Sequence, residues 1–224
     1  MFFTHAQPPV VLLTGFEAFG DSRTADLELN PSWLAVRSLH GDELAGHRLV
    51  GARLPCVFGE SLSRLYALLR QHRPALVLAV GEAGGRAGLS LERIAINLDD
   101  ARQPDNAGAQ PIDQPVIVGG PAAYFTSLPI KPMLRDLQQA GLPAEVSPSA
   151  GSYVCNHVFY ALMHALATEP SLRASRGGFV HVPYLPEQGS PSLPLADTVA
   201  GLRLMLASAL AANSATAPGA GAAH

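Results

Sequence analysis

Two stretches of this chain are apolar almost without interruption and stop at a glycine: Val10-Val11-Leu12-Leu13-Thr14-Gly15 and Ala75-Leu76-Val77-Leu78-Ala79-Val80-Gly81. A strand with one wet face alternates polar and apolar residues, whereas a strand covered on both faces need not. The two runs therefore predict buried strands of an α/β sheet with helices on both faces. Asn30-Pro31 offers a helix N-cap followed by a proline in the first turn, where a missing N–H costs nothing. Leu62, Leu65 and Leu69 recur at helical spacing over Glu60 to His72, and Pro74 stops that helix. Met133 to Ala140, extended back toward Lys131, predicts another helix. Val158, Ala161, Leu162, Ala165 and Leu166 form one face of a helix opening near Cys155, and Val199, Leu202 and Leu206 mark a last one. Short strands are expected at Arg93 to Leu98, Glu145 to Ser147 and Phe179 to Val182, the last bounded by Gly177-Gly178 and Pro183. Asp21 to Leu29 and Asp99 to Pro115 carry turn residues without period and read as loops; one as long as the second is usually functional or mobile. Residues 1–210 thus read as a single α/β domain, and the Ala/Gly/Ser-rich residues 211–224 as a disordered tail.

Of the 224 residues, 48% are hydrophobic and 15% charged. That excludes a disordered chain, which has too little apolar surface to bury. A formal net charge of −3 leaves no electrostatic footprint for nucleic acid and no polybasic surface for a membrane. No apolar stretch approaches the roughly 20 residues that span a bilayer, and Met1 to Pro9 lacks the basic start and apolar run of a secretory signal. The two cysteines, Cys56 and Cys155, make neither a disulfide framework nor a zinc-ligand spacing. A reduced intracellular protein is the default.

Most catalytic signatures are missing. Gly81-Glu82-Ala83-Gly84-Gly85-Arg86 follows a strand, but Ala83 sits where a dinucleotide fingerprint needs its second glycine, and no Gly-Lys-Ser/Thr follows. The segment reads as a turn at a strand end. No serine occupies a G-x-S-x-G elbow, and there is no H-E-x-x-H or other metal-ligand cluster. What remains is Cys155, which opens an apolar-periodic helix. First-turn N–H groups lack helical acceptors and the helix dipole is positive there, so a thiol so placed is expected to ionise easily. Such a nucleophile needs an imidazole. His157 lies roughly 200° around the helix from Cys155, and His164 is about half a turn out of phase, so both point away. His181 lies within a strand, on the face opposite Val180 and Val182. Glu92, Asp136, Glu145 and Glu187 are each available by position to orient that imidazole, and spacing does not choose among them.

These residues fall within motifs that resemble those of the pyroglutamyl peptidase I family. They begin with Leu13-Thr14-Gly15-Phe16-Glu17-Ala18-Phe19-Gly20 and Asn30-Pro31-Ser32-Trp33. They continue with Gly84-Gly85-Arg86, Glu92-Arg93-Ile94-Ala95-Ile96-Asn97 and Ala101-Arg102-Gln103-Pro104-Asp105-Asn106. Ala150-Gly151-Ser152-Tyr153-Val154-Cys155-Asn156-His157 and Gly177-Gly178-Phe179-Val180-His181-Val182-Pro183-Tyr184-Leu185-Pro186-Glu187-Gln188 complete them.

The resemblance implies one three-layer α/β/α domain with a twisted, mostly parallel mixed sheet. It implies a cysteine peptidase that hydrolyses the bond after an N-terminal pyroglutamyl residue of peptides, with Cys155 as nucleophile, His181 as general base and Glu92 as orienting carboxylate. Phe16 and Phe19 would sandwich the lactam ring, Asn30, Glu82, Tyr153 and Val154 would complete the pocket, and Arg102 would lie near the nucleophile. It further implies a cytoplasmic homotetramer without metal or organic cofactor, acting on peptides and neither nucleic acid nor membrane. The chain departs from the family's pattern at Glu82, where Gln is common, at Tyr153, where Phe is common, and at Cys56, where Thr is common. A carboxylate facing the sulfur would oppose thiolate formation. Glu82 is therefore expected to offer its backbone to the pocket and to turn its side chain to solvent, Arg86 or Arg93. Two other readings fit the residues: a cysteine amidase for another N-acyl group, and a non-catalytic α/β binding module.

Overall fold

The computed structural model describes residues 8–19 and 29–214. Most of the loop expected at Asp21 to Leu29, and residues 215–224 of the expected tail, lie outside the described residues. The first apolar run forms β1 (Val10–Phe16). Asn30 caps α1 (Pro31–Leu39), its side chain accepting from the Ser32 N–H. A hairpin follows, β2 (Glu43–Leu44) and β3 (His47–Leu54), then α2 (Glu60–His72) and β4 (Leu76–Glu82). Where one strand was expected at Arg93 to Leu98 there are two: β5 (Leu89–Glu92) and β6 (Ile94–Ile96). Next come β7 (Ala123–Phe125), α3 (Ile130–Gln139), β8 (Ala144–Ser147), α4 (Val154–Thr168), β9 (Arg176–Val182) and α5 (Leu195–Ser214). Gly177 and Gly178 lie inside β9 instead of bounding it. The reason is close approach: a Cβ on Gly178 would sit 2.3 Å from Thr126 Oγ1. The helix α5 runs past the expected domain end at residue 210, because alanines continue a helix as readily as they compose a tail.

Seven strands form one sheet in the order β2-β3-β1-β4-β9-β5-β8, and β6 pairs with β7 in a second, two-stranded sheet. β3, β1, β4 and β9 are mutually parallel; β9 and β5 are antiparallel, and β5 and β8 are parallel again. Successive residues of the central strands serve opposite cores, as a period of two requires. Leu12, Val77 and Phe179 face α2 and α4, where Leu65, Phe159 and Leu162 are buried. Val11, Leu78 and Val180 face α1, α3 and α5, where Val36, Leu137 and Leu206 are buried. Each such side chain contributes roughly 1.5–3 kcal/mol on leaving water. The fold is thus the expected α/β/α arrangement. One expectation needs correction: Leu195–Ala212 in α5 is long and apolar enough, by length and composition, to cross a membrane. In this fold Leu202, Met205 and Leu206 of that helix are buried in the second core.

Candidate active site

The sheet brings the chemistry together at the carboxyl ends of β4 and β9, where open α/β sheets bind ligands. Gly81 of β4 is in register with His181 of β9. Cys155, the second residue of α4, lies over the same spot: a Cβ on Gly81 would sit 2.8 Å from Cys155 Sγ and 2.8 Å from Phe179 Cζ. Only glycine leaves room for the sulfur there. The strand register therefore sets the imidazole beside Gly81, the strand position over which the thiol of α4 lies. His181 is buried, packs at a tilt on Phe179 with ring centroids 4.9 Å apart, and holds Glu92 Oε1 at 2.7 Å through Nδ1. A carboxylate can only accept, so Nδ1 carries the proton and Nε2 keeps its lone pair. Of the four carboxylates available by position, geometry selects Glu92. Asp136 pairs with Arg135, Glu145 accepts from Ser90 Oγ at 3.0 Å, and Glu187 is exposed.

Electrostatics correct the expectation of an easily ionised thiol. Burial pushes the Cys155 thiol well above its ordinary value, and Cys56, Glu92 and Glu82 push the same way, while Arg86 opposes them. Burial lowers the His181 pKa as well, only partly offset by the bond to Glu92 and its charge; Arg86 adds to the lowering. Both shifts favour a neutral thiol and a neutral imidazole at rest.

The expected pocket residues divide. Phe16 is buried and packs on Phe179, ring centroids 6.4 Å apart, whereas half-buried Phe19 packs on Tyr153 at 6.2 Å. Tyr153 also meets Phe58 edge-on, and its hydroxyl, the group that distinguishes it from Phe, donates to the Pro104 carbonyl at 3.0 Å. Arg102 is exposed and shares with Tyr153, Gly151 and Ser152 a depression of about 440 Å³. Val154 is fully buried in the first core. Asn30 is buried, its Oδ1 caps α1 and its Nδ2 donates to the Glu17 carbonyl at 3.0 Å. Glu82 turns to neither Arg86 nor Arg93. It is half-buried and accepts from Gln188 Nε2 at 3.1 Å, and burial raises its pKa. Arg86 is engaged elsewhere, with its Nη1 2.6 Å from Glu92 Oε1.

Three features escaped the sequence reading. The engagement of Arg86 is one, although it stands in the Gly84-Gly85-Arg86 motif. The second is the engagement of His157, of which helical phase said only that it points away from Cys155. It is buried, holds Asp99 Oδ2 at 2.7 Å through Nδ1 and accepts the Gly59 N–H at Nε2, 3.1 Å away. Its phase does point away from Cys155, and His164 likewise bonds Tyr124 instead. The third is the long loop from Asp99, which is pinned. Asp105 Oδ1 accepts the N–H groups of Ala107 and Ala109, its Oδ2 accepts that of Phe58, and Asn106 Nδ2 donates to Glu17 Oε1 and to the Ala18 carbonyl.

A cysteine, a histidine and a carboxylate gathered at the strand ends of an α/β sheet give the protein the form of a cysteine hydrolase. The sequence model of the family described as Pyroglutamyl peptidase matches residues 10–212. The pyrrolidone-carboxylate peptidase of Cupriavidus taiwanensis is 56% identical over 211 residues, covering 92% of this chain and 95% of that protein. The one from Erwinia tasmaniensis is 51% identical, covering 96% of this chain and 99% of its own. The crystal structure of Bacillus amyloliquefaciens pyroglutamyl peptidase I superposes with a TM-score of 0.85 at 42% identity, covering 91% of this chain and 97% of that one. The chain belongs to the pyroglutamyl peptidase family.

Proposed function

We propose that this protein hydrolyses the amide bond after an N-terminal pyroglutamyl residue, with Cys155 as nucleophile, His181 as general base and Glu92 as the carboxylate that orients the imidazole. The observation that carries the assignment is the 2.7 Å bond between His181 Nδ1 and a fully buried Glu92, beside a sulfur seated over Gly81. With both partners neutral at rest, Nε2 takes the thiol proton as sulfur attacks the carbonyl that follows the lactam ring. The imidazolium so formed is held by Glu92 and passes its proton to the leaving amine. Water, deprotonated in turn by His181, clears the acyl-enzyme. First-turn N–H groups of α4 are available to the tetrahedral oxyanion. Pyroglutamate is a flat lactam without an α-ammonium, so aromatic faces such as Phe16, Phe19 and Tyr153 suit it better than a carboxylate clamp. Two free thiols fit a cytoplasmic enzyme. Exposed Ile112, Val118 and Phe125 are apolar surface of the kind that subunit association covers, in keeping with a homotetramer.

The test is hydrolysis of pyroglutamyl-aminocoumarin against the prolyl and glutamyl amides. Only the first should be cleaved, Cys155→Ser and His181→Ala should lose nearly all turnover, and His164→Ala should retain it. Turnover by Cys155→Ser within tenfold of wild type would dismiss the nucleophile, and cleavage of a different acyl amide in preference would make this an amidase of another specificity.

A further inference from the structure

The proposed triad leaves one strong interaction without a role. Glu92 has no side-chain exposure, and its Oε1 serves two donors, His181 Nδ1 at 2.7 Å and Arg86 Nη1 at 2.6 Å. Its other oxygen, Oε2, is buried without a hydrogen-bond partner. Arg86 comes from the turn between β4 and β5, and its side chain is 26% exposed. Its Nη2 reaches the Ser149 carbonyl at 3.4 Å, in the segment that leads from β8 to Cys155. One guanidinium thus touches both the carboxylate that holds the imidazole and the loop that delivers the nucleophile.

We infer that Arg86 is a positioning residue for the reaction: the counter-ion that holds Glu92 aimed at His181, and the tie between the turn after β4 and the approach to α4. The inference rests on the triad reading. A carboxylate buried this deeply beside a neutral imidazole is costly unless a cation accompanies it. A planar fork can give one arm to a carboxylate and the other to a carbonyl, which a lysine ammonium on a flexible stem does poorly. The charged or titratable groups around the pair are Glu82 from β4, Glu92 from β5, His181 from β9, Cys155 from α4 and Cys56 from the segment after β3. Among those groups and Arg86, Arg86 is the permanent cation acting on both thiol and imidazole, and it lowers the pKa of each. It therefore favours the two forms the reaction needs, a neutral base and an attacking thiolate.

The experiment compares Arg86→Gln, Arg86→Lys, Glu92→Gln and the double variant Arg86→Gln/Glu92→Gln on a pyroglutamyl-aminocoumarin substrate. In Arg86→Gln, kcat should fall about 10- to 100-fold, part of the roughly 10²–10⁴ that a general base supplies. The acid limb of kcat/KM and the pH profile of Cys155 alkylation should both move upward by about one unit. A purely structural role would lower activity and leave both profiles in place. Arg86→Lys should keep the profiles near their wild-type positions with a smaller loss in kcat. In the double variant the losses should fall short of multiplying, since both substitutions act on one carboxylate. Unmoved profiles in Arg86→Gln, shifted profiles in Arg86→Lys, or fully multiplicative losses would each overturn the inference. Should Arg86→Gln fail to fold, the Arg86→Lys profiles decide alone. Wild-type kinetics in Glu92→Gln would overturn the triad itself; an impaired Glu92→Gln beside an unaffected Arg86→Gln would remove only the role of Arg86.

Discussion

Cys155 carries two opposing demands. Seated over Gly81 it is shielded enough to remain a thiol, yet in the proposed reaction it attacks as a thiolate. The resolution is that ionisation belongs to the reaction and not to the resting enzyme. Alkylation of Cys155 by iodoacetamide, followed in a Cys56→Ser background, should therefore keep rising with pH beyond neutrality. A plateau already reached at pH 6 would indicate a preformed thiolate–imidazolium pair and refute the neutral resting state. Glu82 enters the same balance as a minor influence. Its charge lies on the unfavourable side for the thiolate, but the side chain is held by Gln188, which also donates to the Leu29 carbonyl at 3.3 Å. Glu82→Gln should lower the thiol pKa by less than a full unit, read from the same alkylation profiles, and a larger fall would mean that the carboxylate faces the sulfur.

Among the elements, the loop from Asp99 is the one whose character could not be guessed from composition. Asp105 gathers three backbone N–H groups at 2.8–2.9 Å, from Phe58, Ala107 and Ala109. Phe58 in turn lies against Tyr153, whose hydroxyl bonds Pro104 of the same loop. Asp105→Ala leaves those donors unmet and should cost about 2–4 kcal/mol in urea unfolding. It should also raise KM more than it lowers kcat, because the loop supports the wall of the proposed pocket and not the reacting atoms. Equal effects on both would place the loop in the chemistry. Elements defined by their own residues were legible in advance: the two-sided strands, the Asn30 cap, the leucine face of α2. β5 was not. Leu89-Ser90-Leu91-Glu92 alternates like a half-wet strand, yet all four residues are buried. Its polar positions bond Glu145 and His181, and a buried bonded side chain looks the same in sequence as a solvated one. β3 was hidden for a related reason, since Arg48 and Arg53 break its apolar pattern near the sheet edge. The site followed the same rule. Helical phase and strand alternation narrowed the histidines and the family resemblance pointed to Glu92, but spacing alone did not choose that carboxylate, and the engagement of Arg86 could not be read without the fold.

For the whole molecule, stability should be bounded on both sides of neutrality. Burial lowers the His181 pKa below its ordinary 6.5. As pH falls below that value the unfolded chain takes up the proton first, and stability declines through the folded pKa. On the alkaline side burial raises the Cys56 thiol from 9.0 to about 12. Its contribution is complete below pH 9 and is lost as pH rises toward 12, because the unfolded chain ionises first; over the full window this is about 4 kcal/mol. Cys56→Ala should therefore lose about 2 kcal/mol less than wild type between pH 7.5 and 10.5 in urea unfolding, and parallel curves would contradict this account.

β9 sits between β4 and β5 in the middle of the sheet although it is the last strand in sequence, and it brings His181 to a carboxylate 89 residues earlier. During synthesis the thiol and Glu92 both leave the ribosome before the strand that joins them. A nascent chain, or a fragment ending before Arg176, holds a sulfur without a base and a sheet with a gap at its centre. On the proposed triad, interrupted translation or proteolytic clipping ahead of β9 therefore yields an inert product, and catalytic turnover reports that the chain has been made through β9 and that the sheet has closed.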